Sequence, residues 1–237
     1  MRPAQPATAG AASNSLAGVP VRLPIFPLGT VLVPGLVLPL HIFEQRYRVL
    51  IEALTSLPED APKQFGVVAI RSGREVGVDG VSAMYDVGCT ADLREVTPYS
   101  DGQFDIVSVG ESRFRLVGID AEAGTPYTTG LVEFLPEPDG DDDVTRLAEA
   151  VTRQFADYRG RLGVQVNELP DEPRVISYLI AAAVVLPLHE RQALLEEEST
   201  AGRLRAELAL LRRERALIKA FRSLPAVDLA QPPDPPN

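Results

Sequence analysis

The feature that most constrains this chain is the apolar run IFPLGTVLVPGLVLPLHIFEQRYRVLIEAL, residues 25–54, cut at Pro27, Pro34 and Pro39. A run so apolar belongs in a core, yet each proline removes a backbone N–H that a helix or central strand would use. The two demands agree if the prolines sit at strand starts and turns, so that the segment folds back on itself several times before Glu44 opens a helix. A small, strongly bent barrel needs such corners. Gly29, Gly35, Gly88 and Gly110 offer further positions for a positive φ or a close backbone approach.

From Val21 to about Leu135 short β-branched pieces alternate with turn residues, the pattern of an all-β unit. Strands are expected at 23–26, 30–33, 36–40, 66–71, 81–90, 104–111, 113–119 and 128–133. One helix interrupts them, because Phe43, Tyr47, Leu50, Ile51 and Leu54 recur at helical spacing. After PEPDGDDD the period lengthens. Val144, Leu147, Ala148, Val151, Phe155, Tyr158 and Leu162 share one helical face behind Asp142 or Asp143 as N-cap. A second helix follows Asp171, with Pro173 in its first turn and an apolar body from Val175 to Val184, ended by Pro187. A short third is expected from His189 to Glu197, and a fourth from Thr200 as cap to about Arg222.

These readings divide the chain into a disordered arm (1–20), a β domain (21–136), an acidic linker (137–143), a helical bundle (144–224) and a proline-rich tail (225–237). A globule of 237 residues hides roughly 70% of its unfolded surface, so a substantial core is available. The net charge of −10 repels nucleic acid and anionic membranes in the mean. Cys89 is the only cysteine, which excludes an intrachain disulfide and a cysteine-rich zinc site and suits a reducing compartment such as the cytoplasm. No stretch reaches 18 apolar residues free of proline and charge, so no membrane span is expected.

Catalytic chemistry finds no foothold. Only Lys63 and Lys219 are lysines, and neither follows a glycine, so there is no phosphate-cradling Gly-Lys-Ser/Thr loop. Lys63 sits in a loop, and Lys219 on a charged helix one turn before Ser223, where neither is desolvated enough to act as a base. GESRF, residues 110–114, puts Ser112 near a nucleophile-elbow pattern but joins strand to strand, and reads as a tight turn. His41 and His189 are the only histidines; His41 reads as a satisfied structural histidine within the β half, and Cys89 as a small buried hydrophobe. DGDDD, residues 139–143, reads as linker and helix cap rather than a calcium loop. No catalytic, cofactor-binding or metal site is expected.

The fourth helix carries Leu204, Leu208, Leu211, Leu217 and Ile218 on one side and Arg203, Arg205, Arg212, Arg213, Arg215, Lys219 and Arg222 elsewhere. Its cations are expected to be solvated or paired with Glu196, Glu197 and Glu198.

LPIFPLGTVLVPGLVLPLHIFEQRYRVLIEAL resembles the opening of the Lon N-terminal domain, the substrate-binding region of the ATP-dependent Lon proteases. FGVVAI, EVG, DVGCTADL, DGQFDIVSVGESRFRL and ISYLIAAAVVLPLHERQALLEEESTAGRLRAELALLRRE follow in that family's order, over about residues 22–222. The resemblance implies an α+β fold, a PUA-like β pseudobarrel with one inserted helix followed by a helical bundle of about four helices. In the proteases an AAA+ module and a Ser-Lys peptidase follow, whereas this sequence ends, which implies a stand-alone, non-catalytic module. The expected partners are unfolded or tagged polypeptides, with a separate ATP-dependent protease or chaperone if the module is an adaptor. The expected contacts are Val33, Pro34, Leu36, Tyr99 and Phe104, apolar residues at predicted turns, on an exposed patch or open strand edge of the β half. The alternative is an RNA-binding PUA-like protein using the basic last helix, against which the acidic charge argues.

Overall fold

The computed structural model describes residues 20–73, 81–140, 143–164 and 169–223. The expected arm, apart from Pro20, lies outside them, as do the tail, Asp141 and Asp142 of the linker. The elements in order are β1 (Val21–Leu28), β2 (Val37–Ile42), α1 (Gln45–Thr55), β3 (Gln64–Gly73), β4 (Val81–Met84), β5 (Val87–Pro98), β6 (Phe104–Ile119), β7 (Thr129–Phe134), α2 (Val144–Arg161), α3 (Pro173–Ala183), α4 (Leu188–Glu196) and α5 (Thr200–Ser223). The fold is α+β, and the chain divides into two compact units.

The first unit comprises the chain to Glu137 together with Val185–Glu196. Its organising device is β1, which changes partners halfway along. Val21–Pro24 pair antiparallel with β7, whereas Ile25–Leu28 pair parallel with β3. With β7–β6, β6–β5 and β5–β3 also paired, the strands close into a ring, β1-β7-β6-β5-β3, to which β2 adds on β6 and β4 on β3. Closure gives every part of β1 a strand partner, its first half on β7 and its second on β3, and the inward side chains Phe26, Leu28, Phe65, Val67 and Ile106 form the core. The amphipathic face of α1 fills it further with Tyr47, Leu50, Ile51 and Leu54, the Tyr47 ring stacked 3.8 Å from that of Phe26.

Several expectations are corrected here. Pro27 and Pro39 lie inside β1 and β2 rather than at their starts, and only Pro34 is in a turn, beside Gly35 at φ +80°. Residues 30–33 are not a strand: Val31, Leu32 and Val33 are buried as loop, their side chains packed without ladder bonds. The expected strand 81–90 breaks at Tyr85–Asp86, and β5 runs on to Pro98. Residues 104–119 form one strand of 16 residues with Ser112 inside it, so GESRF is not a turn. Gly110 serves close approach instead, since a Cβ there would lie 2.2 Å from the Val33 carbonyl oxygen.

The short helix α4, which the sequence assigns to the bundle, groups with the sheet instead. Its Gln192 side chain donates to the Val87 carbonyl of β5 at 2.9 Å, and its Leu195 carbonyl accepts from Arg113 of β6 at 2.8 Å. Arg113 is fully buried and also bonds Glu137 at 2.5 Å and the Pro136 carbonyl at 2.9 Å. A guanidinium with fixed, forked donors thus ties three separate stretches of chain together.

The second unit holds α2, α3 and α5, each in contact with the other two. Ala148, Val151, Phe155, Ile176, Ile180, Leu204 and Leu211 are buried within these helices, the apolar face that the period predicted. Asp143 caps α2 by accepting from the Arg146 N–H at 3.1 Å. Glu172, not Asp171, precedes α3, and Ser199 rather than Thr200 caps α5 through the Gly202 N–H. Arg203 departs from its expected outward position. It is fully buried, its guanidinium 3.9 Å over the Tyr178 ring, donating to Ser177 Oγ at 3.0 Å.

Candidate functional site

Among the described residues, β2 pairs with β6 and with no other strand, so one of its edges is open. The phase of that edge follows from two bonds. The Leu36 carbonyl accepts from the Gly110 N–H, and the Leu38 carbonyl from Ser108 Oγ, so even-numbered residues turn their polar backbone toward β6. Because donors and acceptors alternate along a strand, Val37, Pro39 and His41 present theirs to the open edge. All three are exposed, Val37 by 56%, whereas Leu38 and Leu40 turn inward against the core. Pro39 therefore costs β6 no ladder bond, which is how a proline survives inside this strand.

At the Ile42 end of β2 a side-chain chain meets the β5–β6 turn, Tyr99–Gln103. That turn is closed by the Gly102 N–H on the Tyr99 carbonyl and by Gly102 at φ +80°. The Gln103 amide donates to Asp101 Oδ2 at 2.9 Å, and its oxygen faces His41 Nε2 at 2.6 Å. His41 Nδ1 lies 2.7 Å from Asp105 Oδ1, and the Tyr99 hydroxyl donates to Asp105 Oδ2 at 2.5 Å. A carboxylate only accepts, so Asp101 fixes the amide orientation, the amide oxygen requires an N–H on Nε2, and Asp105 requires one on Nδ1. The geometry is that of an imidazolium. Consistently, the Asp105 and then the Gln103 bonds hold the His41 pKa above its ordinary value. Tyr99 and then His41 keep the Asp105 carboxyl below its usual range, and the same bond pushes the Tyr99 phenol up. Phe43, 50% exposed, lies with its ring 6.4 Å from that of His41, and Tyr99 sits edge-on to His41 at 6.0 Å. Arg48 of α1 reaches the Asp101 carbonyl at 3.2 Å and holds the turn from below.

The five expected contact residues fall into two groups. Val33 is 1% exposed and unavailable to a partner, Pro34 is half-buried, and Leu36 packs partly against the core. Phe104 is likewise partly buried on the core, while Tyr99 is 47% exposed. The two groups lie at opposite ends of the β2–β6 pairing, about 20 Å apart along β6 at the usual rise per residue. Sequence reasoning missed Val37, His41, Phe43, Gln103 and Asp105. The alternation of Val37, Pro39 and His41 against Leu36, Leu38 and Leu40 was the available signal for the first two.

The remaining candidates stay structural. Ser112 lies within β6, its N–H held by Thr90 Oγ1 at 3.0 Å, about 23 Å along the strand from the residue that pairs with His41. Burial pushes the Cys89 thiol up, which makes it inert. No group of three or more potential metal ligands occurs among the described residues. Of the α5 arginines, Arg203 is buried, Arg213 pairs with Glu214 and Arg215 with Asp157 at 2.5 Å, which removes much of the basic face available to RNA. An open concavity between Glu44–Arg46 and the loop Asp120–Thr129 has its cation, Arg46, held by Glu44 and the Tyr47 ring. No helix among the described residues is long and apolar enough to cross a membrane.

The family model of the ATP-dependent protease La (LON) substrate-binding domain matches residues 22–213. The chain belongs to that family. As a LON substrate-binding domain it is similar to Lon protease 2 of Myxococcus xanthus, 30% identical over 210 residues, covering 85% of this chain and 24% of that protein. It is also similar to the Lon protease of Anaeromyxobacter dehalogenans, 28% identical over 212 residues with the same coverage. The chain thus spans about a quarter of the length of these curated relatives. Among solved structures, the Lon N-terminal domain protein from Xanthomonas campestris superposes with a TM-score of 0.57 at 25% identity, covering 80% of this chain and 98% of that one. The N-terminal domain of the Mycobacterium avium complex Lon protease shares the fold, with a TM-score of 0.61 at 19% identity, covering 81% and 98%. The matched region is the substrate-binding domain.

Proposed function

We propose that this LON substrate-binding domain binds unfolded or tagged polypeptide in the cytoplasm without catalysing its cleavage, as an adaptor for a separate ATP-dependent protease or chaperone. The observation that carries the reading is the open edge of β2 with exposed apolar side chains at both of its ends, Val37 at one and Phe43 and Tyr99 at the other, so that apolar surface and backbone hydrogen-bonding capacity run along the same strand. Family membership supplies the class of ligand. The chemistry of this chain supplies no paired nucleophile and base among the described residues: Ser112 lies remote from His41, and Cys89 is a buried thiol.

The test is equilibrium binding of a reduced, carboxymethylated globular protein, followed by fluorescence anisotropy. Saturable binding at micromolar concentration, lost on adding the same protein's unlabelled unfolded form but not its native form, is the expected result. Absence of binding at those concentrations overturns the proposal, as does cleavage of the ligand by protein freed of contaminating peptidases.

A further inference from the structure

We propose that the open edge of β2 takes an extended, net-basic segment of another polypeptide as an added strand, and that Pro39 selects such a segment over a second copy of this chain. The proposal rests on the polypeptide-binding reading above and names its mode. Toward solvent the edge offers the N–H groups of Val37 and His41 and the carbonyls of Val37, Pro39 and His41, a set of two donors and three acceptors at the two-residue period of a strand. The side chains of the same residues are exposed, so an incoming strand would lie beside them without displacing core.

Pro39 decides the occupant. If two copies paired through this edge, antiparallel and centred on Pro39, each Pro39 carbonyl in the middle of the ladder would face the other copy's proline nitrogen, which has no hydrogen to donate, and two bonds would be lost. Shifting the register by two residues leaves only two bonds, because β2 ends at Ile42. An unrelated segment with an ordinary residue opposite Pro39 can still donate to its carbonyl, and forfeits a single bond. An edge proline is a known guard against self-pairing, and here it guards against the copy more strongly than against a client.

The charge preference follows from the chain as a whole. At the Ile42 end Asp101 and Asp105 are matched by the His41 imidazolium and by Arg48, so that end is locally balanced. The net charge of −10 remains, and it favours a basic segment over an acidic one, while an apolar residue of the segment meets Val37 or the Phe43 and Tyr99 rings.

The probe is a fluorescein-labelled octapeptide of alternating valine and threonine with a lysine at each end, and its derivatives N-methylated at one position at a time. N-methylation deletes one backbone donor. Weakening of about fivefold to tenfold at alternate positions, with little effect between them, is expected for an added strand. Pro39→Val restores the missing donor on the solvent side, where β6 pairing is untouched. It should bind the octapeptide more tightly and show concentration-dependent self-association in sedimentation that the parent lacks. Exchange of the lysines for glutamates should weaken binding. Binding that is indifferent to the position of N-methylation, or a Pro39→Val protein with the parent's affinity and self-association, overturns strand addition while leaving polypeptide binding intact. Failure of both the octapeptide and the unfolded protein to bind overturns both.

Discussion

The two units each bury an arginine completely, and they do it by different chemistry. In the β unit Arg113 is met by the Glu137 carboxylate at 2.5 Å and by two main-chain carbonyls, so charge and every direction of the fork are engaged. In the helical unit Arg203 lays its guanidinium on the Tyr178 ring and bonds Ser177 Oγ, with the Glu197 carbonyl at 3.4 Å. One turn along the same helix, Glu207 is buried too. Its burial pushes the carboxyl well above its ordinary range, against which the Arg203 charge and the Ala181 main chain pull only in part. The lesson is that a closed strand ring can hold a full ion pair at its seam, where chain segments converge with backbone oxygens to spare. Helices have spent those oxygens on themselves, so an aromatic face and a hydroxyl serve instead.

Unfolding measurements on the two arginines test this difference. Arg113→Met leaves Glu137 and two inward carbonyls without their donor, and is expected to cost about 3–5 kcal/mol in urea unfolding. Arg203→Met forfeits a ring contact and neutral bonds and should cost about 2 kcal/mol. A larger loss at Arg203 than at Arg113 would reverse the ranking.

Glu207 sharpens it. With a folded pKa raised above the unfolded one, the group stabilises the fold below the unfolded value, and that contribution is lost as pH rises through the raised value. Glu207→Gln cannot ionise, so it should exceed the parent by on the order of 1 kcal/mol at alkaline pH, the gap closing as pH falls toward 4. A constant gap across pH would mean that Glu207 does not change protonation on folding.

The smallest effect is expected where charge is exposed. The His41 contribution is present below its unfolded pKa and disappears as pH rises through the raised folded value. Asp105→Asn should lower the His41 titration midpoint, read by NMR from the ring protons, with little change in unfolding. An unmoved midpoint would remove Asp105 as the cause.

The sequence made the helices legible where a face repeats, as in α1 and α2, and the cap at Asp143, because those signals lie within a few residues of one another. It misread residues 30–33 because Val31, Leu32 and Val33 are as buried as a strand would be while making a loop, and apolarity alone reports burial, not pairing. It misread GESRF because Gly110 signals a turn and a close approach equally well. Neither the site nor the buried arginines could be read locally. His41 finds Gln103 and Asp105 62 and 64 residues away, and Arg113 finds Leu195 at 82. Nothing in one sequence marks such pairs until the ring brings them together.

The partner change of β1 has a consequence for how the molecule is made. β1, made before the other described strands, must wait for β7 before its N-terminal half meets the strand it pairs with, and the latch at Gln192 and Leu195 arrives only after two helices of the other unit have been synthesised. The β unit is therefore finished late in translation: a nascent chain stalled before Phe134 carries an open ring, and one stalled before residue 196 a ring without its latch.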